Sequence, residues 1–266
     1  MIGFRGELRD GTEVAIKRLP KGCLIPDRDL RAELVTLGGI RHRHLSPLLA
    51  AYLEPESEEL LLVTRWCPRG CLDALLAQGL TWQWPARQRL AVGAAVGLKH
   101  MHTERDPRMV HRDFKAGNLL VGRDGNGMAM VGDFGMGRLV VVEGCDVATW
   151  RNGTPGYAAP EFVHEGRVST KTDVYSFGVV LLQLVTGRAV ADLLFLERGV
   201  HKWAKTASLE DVVDERMEWR GTYLSQIIGA LQLGIMCTAP KPGDRPSMGR
   251  VVQVLGDLDG LRNNER

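Results

Sequence analysis

Residues Val174 to Val185, Val-Tyr-Ser-Phe-Gly-Val-Val-Leu-Leu-Gln-Leu-Val, are apolar on nearly every side of a helix. A helix without a polar face has to be covered all round, so it belongs in the middle of a large packed unit. The stretch is too short and too interrupted for a bilayer span of roughly 20 apolar residues. A chain of 266 residues can supply such a core as one or two domains of roughly 100 to 200 residues each.

The pattern before this helix changes along the chain. Thr12 to Arg18 alternates polar and apolar after the turn pair Asp10-Gly11, which predicts a β-hairpin over residues 4–9 and 12–18 with Lys17 on its second strand. Pro26-Asp27 opens a helix with Leu30, Leu34 and Leu37 at helical spacing, closed by Gly38-Gly39, and Glu33 lies within it. Leu45 to Leu53 and Leu60 to Val63 read as strands joined by the acidic loop Glu54 to Glu59. Beyond Leu72 the character is helical. Arg87 to His102 buries one broad face, and Leu224 to Met236 and Met248 to Leu258 are further amphipathic helices, the latter behind the start signal Pro246-Ser247. The expected fold is α+β: a small antiparallel sheet lobe with one helix on a larger, mainly α-helical lobe, with residues 1–66 and 67–266 as the two parts. No linker, repeat or low-complexity tract divides the chain further.

Charge and cysteine usage narrow the function classes. Lysine and arginine number 34 against 32 acidic residues, a net charge of +2, so the strongly basic footprint of a dedicated nucleic-acid binder is missing. Cys23, Cys67, Cys71, Cys145 and Cys237 are odd in number and never in Cys-x-x-Cys spacing, which argues against a disulfide framework and a zinc site. They read as reduced, mostly buried thiols. His42, His44, His100 and His102 read as surface charge or packing. No stretch has the form of a signal peptide or a membrane span, and the expected location is cytoplasmic.

The chemistry concentrates in His111-Arg112-Asp113-Phe114-Lys115-Ala116-Gly117-Asn118 and Asp133-Phe134-Gly135. Either alone would be a common turn or a solvated charge cluster. Here they stand in a fixed order with Val14-Ala15-Ile16-Lys17 before them and Ala159-Pro160-Glu161 after. In that order the chain resembles a eukaryotic protein kinase domain over essentially its whole length. Finer phrases make it similar to plant receptor-like kinases and their interleukin-receptor-associated relatives. These are Gly6-Glu7-Leu8 with Asp10-Gly11-Thr12, Ile40 to Leu45, Gly153-Thr154-Pro155-Gly156-Tyr157, Thr172 to Val179, and Asp244 to Met248.

The resemblance implies a bilobal kinase fold, ATP and Mg2+ as cofactors, and protein substrates. Asp113 would accept or orient the proton of an attacking hydroxyl, Lys115 would offset charge on the moving phosphoryl group, and Asn118 and Asp133 would supply oxygens to magnesium. Lys17 would hold the α- and β-phosphates and pair with Glu33. Ala15 and Leu120 would sandwich the adenine, with Thr64 at the back and Cys67 offering backbone to the purine. Glu161 and Arg245 look like an internal ion pair, and Asp173 like an anchor for the catalytic loop. Lys115 is the pattern of kinases acting on serine and threonine. Receptor or co-receptor kinases are expected partners, and the plasma membrane's cytosolic side is an expected location if the chain is part of a receptor.

Two points modify this picture. The Gly-x-Gly-x-x-Gly phrase that covers ATP phosphates should precede Lys17, but its third glycine falls on Met1 and its valine on Gly3. A truncated kinase is the expectation, and a catalytically impaired pseudokinase acting as an interaction module is the alternative. Regulation is expected through Arg112, which would pair with a phosphate on Thr149, while Thr154 contacts the catalytic residues.

Overall fold

In the computed structural model, residues 2–20, 27–55, 59–105, 108–122, 128–134, 154–191, 208–218 and 220–264 are described. The first expectation to meet the structure is the hairpin. Strands β1 (Ile2–Glu7) and β2 (Glu13–Pro20) pair antiparallel, with Phe4 opposite Ile16 and Gly6 opposite Val14. Asp10 Oδ1 accepts from the Thr12 amide at 2.9 Å and Gly11 takes a φ of 81°, as a tight turn requires. The sheet continues with β3 (Leu48–Leu53) and β4 (Glu59–Arg65) in the order β1-β2-β4-β3. Helix α1 (Asp27–Gly38) packs against β3.

The strand expected from Leu45 starts only at Leu48. Residues 44–46 serve the other lobe: Leu45 bridges Val131, the Val131 amide donates to His44 O, and the Ser46 amide donates to Val131 O. Those backbone groups are already committed, so they cannot join the β3–β4 ladder. The same loop lies against α3 (Trp84–Thr103), where a Cβ on Gly97 would stand 2.8 Å from His44 O. Glycine at 97 is therefore what lets the small lobe seat on the large one.

The remaining helices are α2 (Leu72–Ala77), α4 (Pro160–Glu165), α5 (Thr170–Thr186), α6 (Leu209–Val212), α7 (Leu224–Cys237) and α8 (Met248–Asn264). The helical reading of the second part needs one correction, because β5 (Leu119–Val121) and β6 (Ala129–Val131) form a two-stranded antiparallel hairpin. Strands of three residues are too short to show a period of two.

Helix α5 occupies the centre foreseen for it. Ser169 caps its N-terminus by accepting from the Lys171 amide, and Gly187 ends it at a φ of 64°. Residues 172–186 are all buried. A Cβ on Gly178 would lie 2.6 Å from Cys237 Cβ, so α7 reaches its packing distance through that glycine. Cys67 and Cys237 are buried thiols and Cys71 is half-buried, while Cys23 and Cys145 lie outside the described residues. Burial pushes the Cys237 thiol up to about 12, which keeps it protonated and inert.

One buried charge was not foreseen. Arg87 on α3 is fully buried and donates to Asp214 Oδ2 at 2.7 Å, to Leu184 O at 3.0 Å and to Leu80 O at 3.1 Å. It thereby joins α3, the end of α5 and the segment after α6. Burial lowers the Arg87 guanidinium from its usual value, and Asp214 opposes that shift.

Candidate active site

The segment 111–118 is held from below by Asp173 on α5. Its Oδ2 accepts from the His111 amide at 2.7 Å and its Oδ1 from the Arg112 amide at 2.9 Å. His102, at the end of α3, meets Asp173 Oδ2 at 2.8 Å, so the anchor is itself fixed. Arg112 takes a φ of 73°, a left-handed conformation that costs a non-glycine residue about 1–3 kcal/mol and persists where the surroundings over-determine it. Phe114 is fully buried, with its ring stacked on Phe177 of α5 at 6.3 Å.

This anchoring presents Asp113, Lys115 and Asn118 together. Lys115 Nζ lies 3.0 Å from Asp113 Oδ2 and donates to Thr154 Oγ1 at 2.8 Å. Thr154 Oγ1 donates in turn to Asp113 Oδ1 at 2.6 Å. The buried Asn118 donates its amide to Asp113 O at 2.8 Å, which turns its Oδ1 away from that bond. Both oxygens of Asp113 are thus oriented, Oδ1 by Thr154 and Oδ2 by Lys115.

Asp133 reaches the site on the β5–β6 hairpin. His111 Nε2 donates to Gly132 O at 3.0 Å while its Nδ1 accepts from the Asp113 amide at 3.3 Å. A carbonyl only accepts and an amide only donates, so His111 is the neutral Nε2–H tautomer. One imidazole therefore ties the residue before Asp133 to the loop bearing Asp113. Asp133 has a φ of 59°. Lys17 Nζ donates to Asp133 Oδ2 across the two lobes. Glu33 is half-buried on α1.

Of the expected purine residues, Ala15 and Thr64 lie in the four-stranded sheet, Leu120 in the two-stranded one and Cys67 after β4. Ala15 is directly opposite Thr64 in the β2–β4 register, and Leu120 is opposite Met130 in β5–β6. Cys67 O accepts from the Gly70 amide at 2.8 Å, turning the chain between the lobes. Cys67 also lines a cavity of about 540 Å3 between the β1–β2 turn, Arg65–Pro68 and the β5–β6 hairpin. Thr149 lies outside the described residues. Glu161 and Arg245 form a buried two-pronged ion pair, with bonds of 2.7 and 2.8 Å, and the Arg245 guanidinium lies 4.9 Å from the Tyr175 ring centroid. His102 was visible in the sequence only as surface charge or packing, and no spacing signal linked it to Asp173.

The donor set suits a hard divalent cation bound with phosphate. A carboxylate on Asp133 and an amide oxygen on Asn118 are oxygen ligands, and Mg2+ commonly takes one or two protein oxygens together with substrate phosphates. Lys17 and Asp133 have opposite charges and touch each other, so each stands where the other's ligand, phosphate for Lys17 and cation for Asp133, would be attracted.

A family model for protein tyrosine and serine/threonine kinases matches residues 4–255. The chain belongs to the protein kinase family. It is 36% identical over 261 residues to a receptor-like serine/threonine-protein kinase of Arabidopsis thaliana, covering 95% of this chain and 72% of that protein. It is 37% identical over 259 residues to the LRR receptor-like serine/threonine-protein kinase FEI 2 of the same plant, covering 95% of this chain but 43% of that protein. The chain thus spans less than half of that longer relative. Among solved structures, the pseudokinase domain of BIR2, an immune regulator of the RLK/Pelle family, superposes with a TM-score of 0.83 at 30% identity, over 98% of this chain and 79% of that one. The kinase domain of maize SIRK1 bound to AMP-PNP gives a TM-score of 0.79 at 23% identity, over 97% and 89%, a likeness of fold. The four-stranded sheet lobe and helical lobe are those of a bilobal protein kinase. Among the described residues, no helix is long and apolar enough to cross a membrane.

Proposed function

We propose that the chain is a protein serine/threonine kinase that transfers the γ-phosphate of ATP to Ser or Thr hydroxyls. The observation that carries this reading is the Asp113–Lys115–Thr154 cluster, with Asn118 and Asp133 beside it. Asp113 takes the proton of the acceptor hydroxyl. Lys115, bonded to both Asp113 and Thr154, places a positive charge where the transferred group gains negative charge. Asn118 and Asp133 hold Mg2+, which offsets phosphate charge when bound. Lys17 leaves Asp133 for the α- and β-phosphates and takes Glu33 as its partner. Ala15 and Leu120 flank the adenine, Thr64 closes its back and Cys67 supplies backbone contacts. Residues 1–66 form the small lobe and 67–266 the large one.

Regulation follows the same charges. Arg112 receives a phosphate placed on Thr149, bringing about −1.5 to −2 charges to the loop. Receptor and co-receptor kinases are the partners this family membership favours, with the chain on the cytosolic side of a plasma membrane. A second reading, a nucleotide-tuned interaction module, is favoured by the likeness to the BIR2 pseudokinase domain.

Titration calorimetry tests the nucleotide side of the proposal. We expect ATP to bind more tightly with Mg2+ than without, and Asp133→Asn to abolish that difference. Nucleotide binding indifferent to both would favour the interaction module.

A further inference from the structure

Beside Lys17 and Thr64 is a small cavity of about 30 Å3. Leu37 of α1, Leu48 of β3 and Leu62 of β4 give it apolar walls, and Lys17 and Asp133 close one end. Ser46 also lines it. That serine is 4% exposed, and its Oγ is buried with no hydrogen-bond partner among the described residues. Its backbone amide is fixed to Val131 O at 2.9 Å, so its main chain is held at this place.

A buried hydroxyl without a partner costs about 1–3 kcal/mol. A water needs a space of about 10–15 Å3 and two or more polar neighbours, and an apolar cavity of that size stays dry. The Ser46 cavity meets both conditions, with Ser46, Thr64 and the Lys17–Asp133 pair among its lining residues. We propose that this is a built site for one neutral hydrogen-bonding group, occupied by an ordered water that joins Ser46 Oγ to the Lys17–Asp133 pair. Ser46 then adds a hydroxyl to the cavity that Lys17 and Asp133 close at one end. The site needs no kinase activity, so its test stands or falls separately from the proposed function.

The purified chain without nucleotide provides the test. Ser46→Ala removes one of the water's partners and should lower Tm by about 2–4 °C, whereas deleting a truly orphaned hydroxyl raises it. Because Thr and Val have equal shape, a second comparison is independent of packing: Ser46→Thr should melt at least 2 °C above Ser46→Val, by about the same reasoning. A crystal structure at a resolution of about 1.8 Å should place water density within about 2.6–3.2 Å of Ser46 Oγ. A higher Tm for Ser46→Ala, equal or reversed melting of the Thr and Val variants, or an empty cavity would each overturn the proposal.

Discussion

Thr154 Oγ1 donates a 2.6 Å hydrogen bond to Asp113 Oδ1 and so joins the turn before α4 to the residue we propose takes a proton. The same hydroxyl accepts from Lys115 Nζ, which fixes its orientation. Removing it takes one hydrogen bond from each charged side chain, leaving their direct contact, without creating a cavity if valine replaces threonine. We expect Thr154→Val to lower kcat by about 10- to 100-fold while Thr154→Ser stays within about threefold. Steady-state kinetics beside thermal unfolding would check this, and equal losses in the two variants would mean that the hydroxyl is not what matters.

The Arg87–Asp214 pair makes a prediction about stability. With both side chains buried, truncating one leaves the other charge without its partner, at a cost of about 3–5 kcal/mol. Burial raises Asp214, but hydrogen bonds from Arg216 and Arg87 outweigh it and hold the carboxyl below its usual value. Asp214→Ala should lower Tm by on the order of 10 °C. An unchanged Tm would contradict a structural role for this ion pair.

The loop that seats the small lobe should be sensitive to acid. His42 stacks on His100 at 4.5 Å and its Nδ1 accepts from the His44 amide at 3.1 Å, while His44 Nδ1 bonds Ala129 O at 2.9 Å. Burial lowers both His42 and His44 below the ordinary 6.5. At His42, the charges of His100, His44 and Arg43 add to that and Glu104 opposes it, with Lys99 paired to Glu104. At His44, the Ala129 carbonyl opposes the shift and Arg43 adds to it. Both rings are therefore neutral in the fold and protonate more readily in the unfolded chain. Their contribution is complete above 6.5 and is lost as pH falls through the lowered folded values. Tm should drop as pH falls below 6.5, and His42→Gln should flatten that slope. A slope unaltered by the substitution would rule out His42 as its source.

Much of this was legible in the residues, for physical reasons that differ from site to site. Asp10-Gly11 announced the first hairpin because few other pairs make that turn, and the apolar run of α5 could only be central. Asp124-Gly125 carried the same kind of turn signal between β5 and β6, but strands of three residues gave it no periodic flank. The true start of β3 could not be read locally, since Leu45 and Ser46 are claimed by Val131 from the other lobe. Arg87 looked like a polar residue on an amphipathic helix, because its partner Asp214 is distant in sequence. Within the active site, residue types and order were visible, while the hydrogen bonds that orient Asp113 and tie His111 to Gly132 exist only in three dimensions.

Phosphate transfer from γ-labelled ATP with Mg2+ to a protein rich in serine and threonine decides whether this site is catalytic. It should be run on the chain as it stands and on a chain extended at Met1 by a Gly-x-Gly-x-x-Gly segment, each with its Asp113→Asn partner. We expect label on Ser or Thr in the extended chain, and Asp113→Asn to reduce turnover by about 100-fold or more while leaving the fold intact. No transfer by either chain, or transfer that survives Asp113→Asn, would contradict the assignment of Asp113 and favour an interaction module built on a kinase fold.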